Sequence, residues 1–348
     1  MVLRLAPPHH RGNFADGSYG NPQVTVVLAI TILVSTGQRI RSARWRFLGF
    51  SARAVVGAAA ASVPAWCLLV CLVVSRGGLE STMSDPTSPI GVTGATGRLG
   101  GRVARRLAAA GVAQRVPVRD LSRAPQLPGS VPARAPFDDP AAVRTALAGV
   151  PTVLMVSASE TPDRVTQHIS FIDAAASAGV QHLIYGSFCG AAPDCTFTLG
   201  RNHYATEQHI RTSGLRFTFL RDNFYADFMA ALVTAVRRNP DPHAGATYSL
   251  TGPEALSLDD TAATLSDALG RPVRYQRETV SQAYASRAAY GAPPWQLDAW
   301  VSTYTAIANG DVAGVTDEIP ELTGHPATSL AELLRRGDPA YQTDARHT

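Results

Sequence analysis

Short apolar runs and amphipathic stretches alternate from Ile90 onward. Ile90 to Val92 is the first run. It leads through Thr93-Gly94-Ala95-Thr96-Gly97-Arg98-Leu99-Gly100 into a stretch where Leu99, Val103 and Leu107 recur at i, i+4 and i+8, and Gly111 stands at the expected stop. The spacing predicts strand, glycine turn and helix. A second strand is expected near Arg115 to Arg119. A third is expected near Val131 to Phe137, where Pro132 and Pro136 mark a sheet edge. Asp139-Pro140 supplies a cap and a first-turn proline for the next helix. Val153 to Val156 is continuously apolar, as a parallel strand covered on both faces must be. Thr161-Pro162 opens a helix with Val165, Ile169 and Ile172 on its inner face, stopped at Gly179. Val180 to Tyr185 is the fifth strand. A helix from about Asn202 to Thr212 ends at Ser213-Gly214, and Leu215 to Leu220 is the sixth strand. This alternation predicts an α/β fold, a doubly wound parallel sheet in the order 3-2-1-4-5 with the third strand at its edge.

After Asp222 the pattern is mixed. Thr247 to Thr251 and Val273 to Gln276 read as short strands. Ser257 caps a helix ending at Leu269-Gly270. Helical pieces follow around 281–290 and 296–309, and Ser329 opens a last helix over Leu330 to Arg336. The expected layout is an N-terminal extension over 1–82, a nucleotide-binding domain over 83–225 and a small mixed lobe over 226–348.

Residues 1–82 differ from the rest. Val24 to Val34 is apolar but short. Ala54 to Val74 is 21 residues without a charge, flanked by Arg53 and Arg76, which is long enough to span a bilayer. The arginines between these runs have no acidic neighbour, as in a cytoplasmic loop. Two readings stand. Residues 54–74 are a membrane anchor, or the functional chain starts near Met83 and belongs to the cytoplasm. A cleaved signal peptide fits poorly, because the apolar stretch lies too far from the terminus.

Charge changes the picture in one respect. The net charge of +4 belongs to the extension, where eight Arg face only Asp16 and Glu80. The remainder carries 23 Arg against 25 acids, and gives no reason to expect nucleic acid binding. All 31 basic residues are Arg, so no Schiff base, P-loop lysine or Tyr-x-x-x-Lys dyad exists. Cys67, Cys71, Cys189 and Cys195 and the nine His lack zinc spacing, so no metal is expected.

The chemistry sits in the glycine turn. Glycines let the backbone approach a pyrophosphate, and the helix that follows presents free N–H groups and a positive dipole end. The alternative is a purely structural βα turn. With this turn, Asp138-Asp139-Pro140, Tyr185-Gly186-Ser187, His203-Tyr204-Ala205-Thr206-Glu207, the run Ser213 to Tyr225 and Thr323-Gly324-His325-Pro326, the chain resembles the NmrA-like family of atypical short-chain dehydrogenase/reductases. Within it, the NAD(P)H:quinone oxidoreductase type 2 branch is the nearest resemblance, over about residues 89–337.

The resemblance implies a Rossmann-like domain. It places Gly94, Ala95, Thr96, Gly97, Arg98 and Leu99 on the pyrophosphate, Arg119 at the adenosine ribose and Asp138 near the adenine. Ser157 and Ser187 fall on the loops after the fourth and fifth strands, and His203, Asn223 and Tyr225 face nicotinamide and substrate. A guanidinium at 119 suits the 2′-phosphate of NADP, while Asp120 beside it suits NAD. The implied reaction is hydride transfer to a quinone or similar small carbonyl electrophile, with homo-oligomer formation left open. The alternative is a non-catalytic NAD(P)-binding redox sensor that acts through a protein partner. It is supported by the missing lysine and by a short stretch between Phe228 and His243, where relatives place a further strand–helix unit.

Overall fold

The computed structural model describes residues 88–223 and 241–336, together with the backbone of residues 2–5. Seven strands form one sheet: β2 (Ile90–Val92), β3 (Gln114–Val118), β4 (Ser130–Arg134), β5 (Thr152–Val156), β6 (His182–Phe188), β7 (Arg216–Asp222) and β8 (Ala246–Leu250). Their order is β4-β3-β2-β5-β6-β7-β8 and every neighbouring pair is parallel. The predicted order is observed from β4 to β6, and β7 and β8 extend it by two strands on the far side. Edge strand β4 carries Pro132 opposite Val116. A proline is tolerated there because the missing N–H is not required by a further strand.

Alternation along the strands divides the interior. Ile90, Val92, Val116, Val118, Leu154, Ile184, Leu220 and Leu250 share one core with Val103, Ala104 and Leu107 of α1 (Arg98–Ala109) and Ile319 of α8 (Glu318–Thr323). Val153, Met155, Leu183, Tyr185 and Phe219 face the opposite core. It is closed by α2 (Pro140–Leu147), α3 (Arg164–Ser177) and α4 (Thr198–Thr212). Asp139 caps α2 by accepting from the Ala142 N–H at 3.0 Å.

The C-terminal elements are α5 (Leu258–Leu269), β9 (Val273–Gln276), α6 (Val280–Arg287), α7 (Pro294–Ala308), α8 and α9 (Leu330–Arg335). Ser257 and Asp260 cap α5 reciprocally, and Gly270 ends it in the left-handed conformation. Ala262, Leu265 and Val273 form a third, small core. The Arg287 guanidinium pairs with Glu278 at 3.3 Å in the interior and lies over the Tyr304 ring.

Four details depart from the expectation. The inner face of α3 is Arg164, His168, Phe171, Ile172 and Ala175, whereas Val165 and Ile169 are only half-buried. Helix α4 starts at Thr198, ahead of Asn202. Helix α8 was not foreseen. Residues Val2–Leu5 form β1, which pairs antiparallel with β9 in a separate two-stranded sheet, where the pattern had placed no element. The apolar stretch 54–74, residues 224–240 of the shortened region, and Tyr225 lie outside the described residues. Among the described residues no helix is long and apolar enough to cross a membrane.

Candidate functional site

The chain reverses direction across the sheet between β2 and β5. It moves from β2 outward to β3 and β4, then returns to β5 on the other side. Crevices at the carboxyl ends of strands at such a switch point are where ligands bind in open α/β sheets. The glycine turn opens here. Buried Thr93 ties it in place: its hydroxyl accepts from the Val156 N–H at 2.8 Å and donates to the Val156 carbonyl at 3.2 Å. Gly94 has φ +66°, a region that favours glycine. Gly94, Thr96, Gly97 and Arg98 are exposed, while Ala95 and Leu99 turn toward the core. Gly100 lets α1 sit against the turn. A Cβ there would lie 2.5 Å from the Gly94 carbonyl group and the Thr93 oxygen.

The first turn of α1 has neither a side-chain cap nor an acidic residue. Its leading N–H groups and dipole are therefore left to an external anion. Arg119 is exposed directly after β3. The Asp120 carboxylate beside it caps a short turn, accepting from the Ser122 N–H at 2.9 Å and hydroxyl at 2.7 Å. Asp138 is exposed. Together these features fit a dinucleotide.

Beneath the crevice lies a polar network that hydrophobic periodicity did not reveal. Ser157 and Ala158 follow β5. The Ala158 N–H donates to His168 Nε2 at 2.9 Å, and the Ala158 carbonyl accepts from Arg164 Nε at 3.1 Å. His168 Nδ1 donates to Thr206 at 2.8 Å. Arg164 Nη2 donates to His203 Nε2 at 3.2 Å, and His203 Nδ1 donates to the Tyr185 hydroxyl at 2.9 Å. Burial, with the nearby guanidinium, pushes His168 down to about 3 and holds His203 well below the usual imidazole range. Both rings are thus neutral, and the bonds fix their tautomers.

Two expected site residues lie under the surface rather than on it. His203 is 7% exposed, with both ring nitrogens engaged as above. Ser187 is 1% exposed, and its hydroxyl donates to Glu207 Oε1 at 2.6 Å. Glu207 also receives Arg221 through two bonds of 2.8 and 2.6 Å, which locks α4 to β6 and β7. Asn223 is half-buried, and its side-chain amide donates to the Val312 carbonyl at 3.0 Å. At the end of β7, burial pushes Asp222 up to about 8. Cys189, after β6, is pushed up to about 12, also by burial. Among the described residues no cluster of His, Cys, Asp or Glu is placed to hold a metal.

Arg164 and His168 were not singled out from the sequence, and Tyr185 and Asp222 stood there only inside quoted motifs, with no role of their own. Arg164 and His168 recur at i, i+4 with Phe171, Ile172 and Ala175. That spacing would have placed both polar side chains inside.

The chain is 31% identical to an NAD(P)H azoreductase of Xenophilus azovorans over 281 residues, covering 72% of this chain and 98% of that protein. The structure of an NADPH-dependent quinone oxidoreductase from Escherichia coli complexed with NADPH superposes with a TM-score of 0.65 at 28% identity, over 71% of this chain and 99% of that one. The Citrobacter sp. triphenylmethane reductase complexed with NADP(H) gives a TM-score of 0.63 at 26% identity, over 72% and 100%. The model of the NmrA-like family matches residues 86–284. The chain belongs to the NmrA-like family.

Proposed function

We propose that this protein is an NAD(P)H-dependent reductase of quinones and similar small electrophiles. The observation that carries the reading is the exposed glycine turn at the uncapped start of α1, set at the β2/β5 switch point. Relatives named as quinone, azo and dye reductases, two of them complexed with NADPH or NADP(H), support it. The backbone of Gly94 to Leu99 binds the pyrophosphate, and Asp138 borders the adenine. Arg119 reads the 2′-phosphate, since Asp120 is engaged in its own turn. Bound NADPH supplies a hydride.

The chain's own residues supply orientation. Ser157 and Ala158 form a wall of the crevice, held from behind by Arg164 and His168. Asn223 follows β7 on the substrate side, and Tyr225 is given the same role on the family resemblance alone. His203 and Ser187 act from below, as supports of the strand ends. The functional unit is residues 83–348, acting on a small molecule in the cytoplasm. The near-neutral charge of that part gives no reason to expect nucleic acid as a partner.

The test is NADPH oxidation by the purified protein with a panel of benzoquinones, azo dyes and triphenylmethane dyes. Turnover of at least one class, with NADPH favoured over NADH, is the expected result. Tight NADPH binding without turnover of any of them would overturn the reading in favour of a sensor.

A further inference from the structure

Arg164 is buried, at 4% exposure, yet it has no carboxylate within ion-pair distance among the described residues. Its Nε and Nη2 are used on Ala158 and His203, and Nη1 has no partner. Buried guanidinium groups are normally paired. Two acids do share its field, Glu160 and Asp222. Burial raises both toward the neutral form. The cluster therefore holds one buried cation and, at neutral pH, an un-ionised acid beside it.

The two acids differ in access. Glu160 has an oxygen shut away from solvent without a partner. Asp222 keeps part of its surface open. It is the last residue of β7, in register with Phe188 at the end of β6 and Leu250 at the end of β8, and stands immediately before Asn223. It stands at the carboxyl-end side of the sheet, the side on which such folds bind their ligands.

We propose that Asp222 is the acid that protonates strongly basic substrates of the azo type during reduction, and that Arg164 stabilises the carboxylate left behind. The proposal rests on the reductase reading. The substrate gains a hydride from NADPH and a proton from Asp222. For an azo dye, a C4–H bond of NADPH and the Asp222 O–H bond break, two N–H bonds form, and the N=N bond becomes N–N. NADP⁺ and the Asp222 carboxylate remain, and water later returns the proton. Loss of the proton adds a negative charge to the field of the Arg164 guanidinium, so the electrostatics favour donation.

The surrounding groups do not compete for the role. Tyr185 on β6 is raised by burial, and its hydroxyl accepts from His203. His203 on α4 stays neutral. Cys189 after β6 stays a thiol, with Glu318 of α8 adding to its rise. Arg221 is bound to Glu207 of α4.

The substrates differ in proton demand. A reduced azo nitrogen is a far stronger base than a reduced quinone oxygen, so it depends on a local acid while the quinone does not. Asp222→Asn should leave NADPH affinity within about twofold and lower kcat for an azo dye by on the order of 10²-fold. The benzoquinone kcat should change only a few-fold. The wild-type azo profile should fall above about pH 8, the variant should lose that limb, and Asp222→Glu should restore part of it.

Infrared difference titration of the full chain without substrate provides a readout independent of turnover. It should show a neutral carboxyl at pH 7 that is missing from Asp222→Asn. Equal losses on both substrates, an unchanged azo kcat, or an ionised Asp222 at pH 7 would each overturn the proposal alone. Turnover of neither substrate by the wild type would remove the reductase reading and the proposal with it.

Discussion

Gly97 and Gly100 stand three residues apart, yet a side chain at each meets a different obstacle. At Gly100 the obstacle is backbone, with three atoms of Thr93 and Gly94 at 2.5 Å. Gly100→Ala should push α1 off the sheet and cost on the order of 3 kcal/mol in urea unfolding, at the upper end of overpacking costs. At Gly97 a Cβ meets only the Gly94 oxygen at 3.2 Å, and the residue is exposed. Gly97→Val should fold and fail to bind NADPH, because the branched side chain fills the space of the pyrophosphate. Calorimetric titration of a folded variant showing unchanged affinity would reject this turn as the binding site. Arg119 poses a question of selectivity instead. Arg119→Ala should weaken NADPH binding by about 1–3 kcal/mol, the worth of a lost charge-assisted contact, and should barely affect NADH. Equal losses for both cofactors would show that Arg119 does not read the 2′-phosphate.

Among the elements, α4 is held to the sheet by charge as much as by apolar contact. Glu207 is fully buried and its carboxylate takes three bonds, from Ser187 and twice from Arg221. Removing it leaves a half-buried guanidinium uncompensated. Glu207→Ala should therefore cost about 3 kcal/mol, whereas Ser187→Ala should cost about 1 kcal/mol because the ion pair survives. Comparable urea midpoints for the two variants would show that the pair contributes little. Helix α3 shows where sequence reading succeeds and where it stops. The βα order, the edge position of β4 with Pro132, the Asp139 cap and the Ser257 cap all follow from local chemistry, and all were legible. The inner face of α3 was not, because its apolar residues Val165 and Ile169 recur at the same interval as Arg164 and His168. Periodicity counts apolar residues, and here two polar side chains go inside because Ala158, Thr206 and His203 supply bonds from distant parts of the chain. The phosphate turn was legible because its glycines answer to backbone geometry. The network below it depends on contacts that no local window contains.

At the scale of the whole molecule, buried titratable groups set the pH at which the fold is most stable. His168 and His182 are pushed down to about 3 and about 4, mainly by burial, and His203 is held low for the same reason. Their folded pKa values lie below the unfolded value near 6.5, so stability is lost as pH falls below about 6.5. Asp222 acts in the opposite sense. Its folded value of about 8 lies above the unfolded value near 4, so stability falls as pH rises through that window. The lowered histidines outweigh the raised acids below about pH 6.5, and above it Asp222, with Glu160 raised in the same sense, takes over. Urea midpoints should rise from pH 4.5 to 6.5 and then decline toward pH 8. Asp222→Asn should shallow the decline, and His168→Gln should shallow the rise, each group being worth about 1.4 kcal/mol per pH unit. A profile unchanged in both variants would contradict the placement of these groups. A chain reduced to residues 83–348 should bind NADPH as the full chain does, since the turn, Arg119 and the strand ends all lie within it. A weaker affinity would show that the first 82 residues contribute to the site.

The parallel register also sets a clock. Val92 finds its partner Leu154 only 62 residues later, and the Thr93 hydroxyl that anchors the turn waits for Val156. At about 5–20 residues per second on a ribosome, some 3–12 s separate the making of the turn from the arrival of the strand that shapes it. During that interval α1 has no finished sheet to pack on, and its apolar stripe is open to chaperones. The phosphate site is thus among the first parts of the domain to be synthesised, yet it takes form only once β5 has followed.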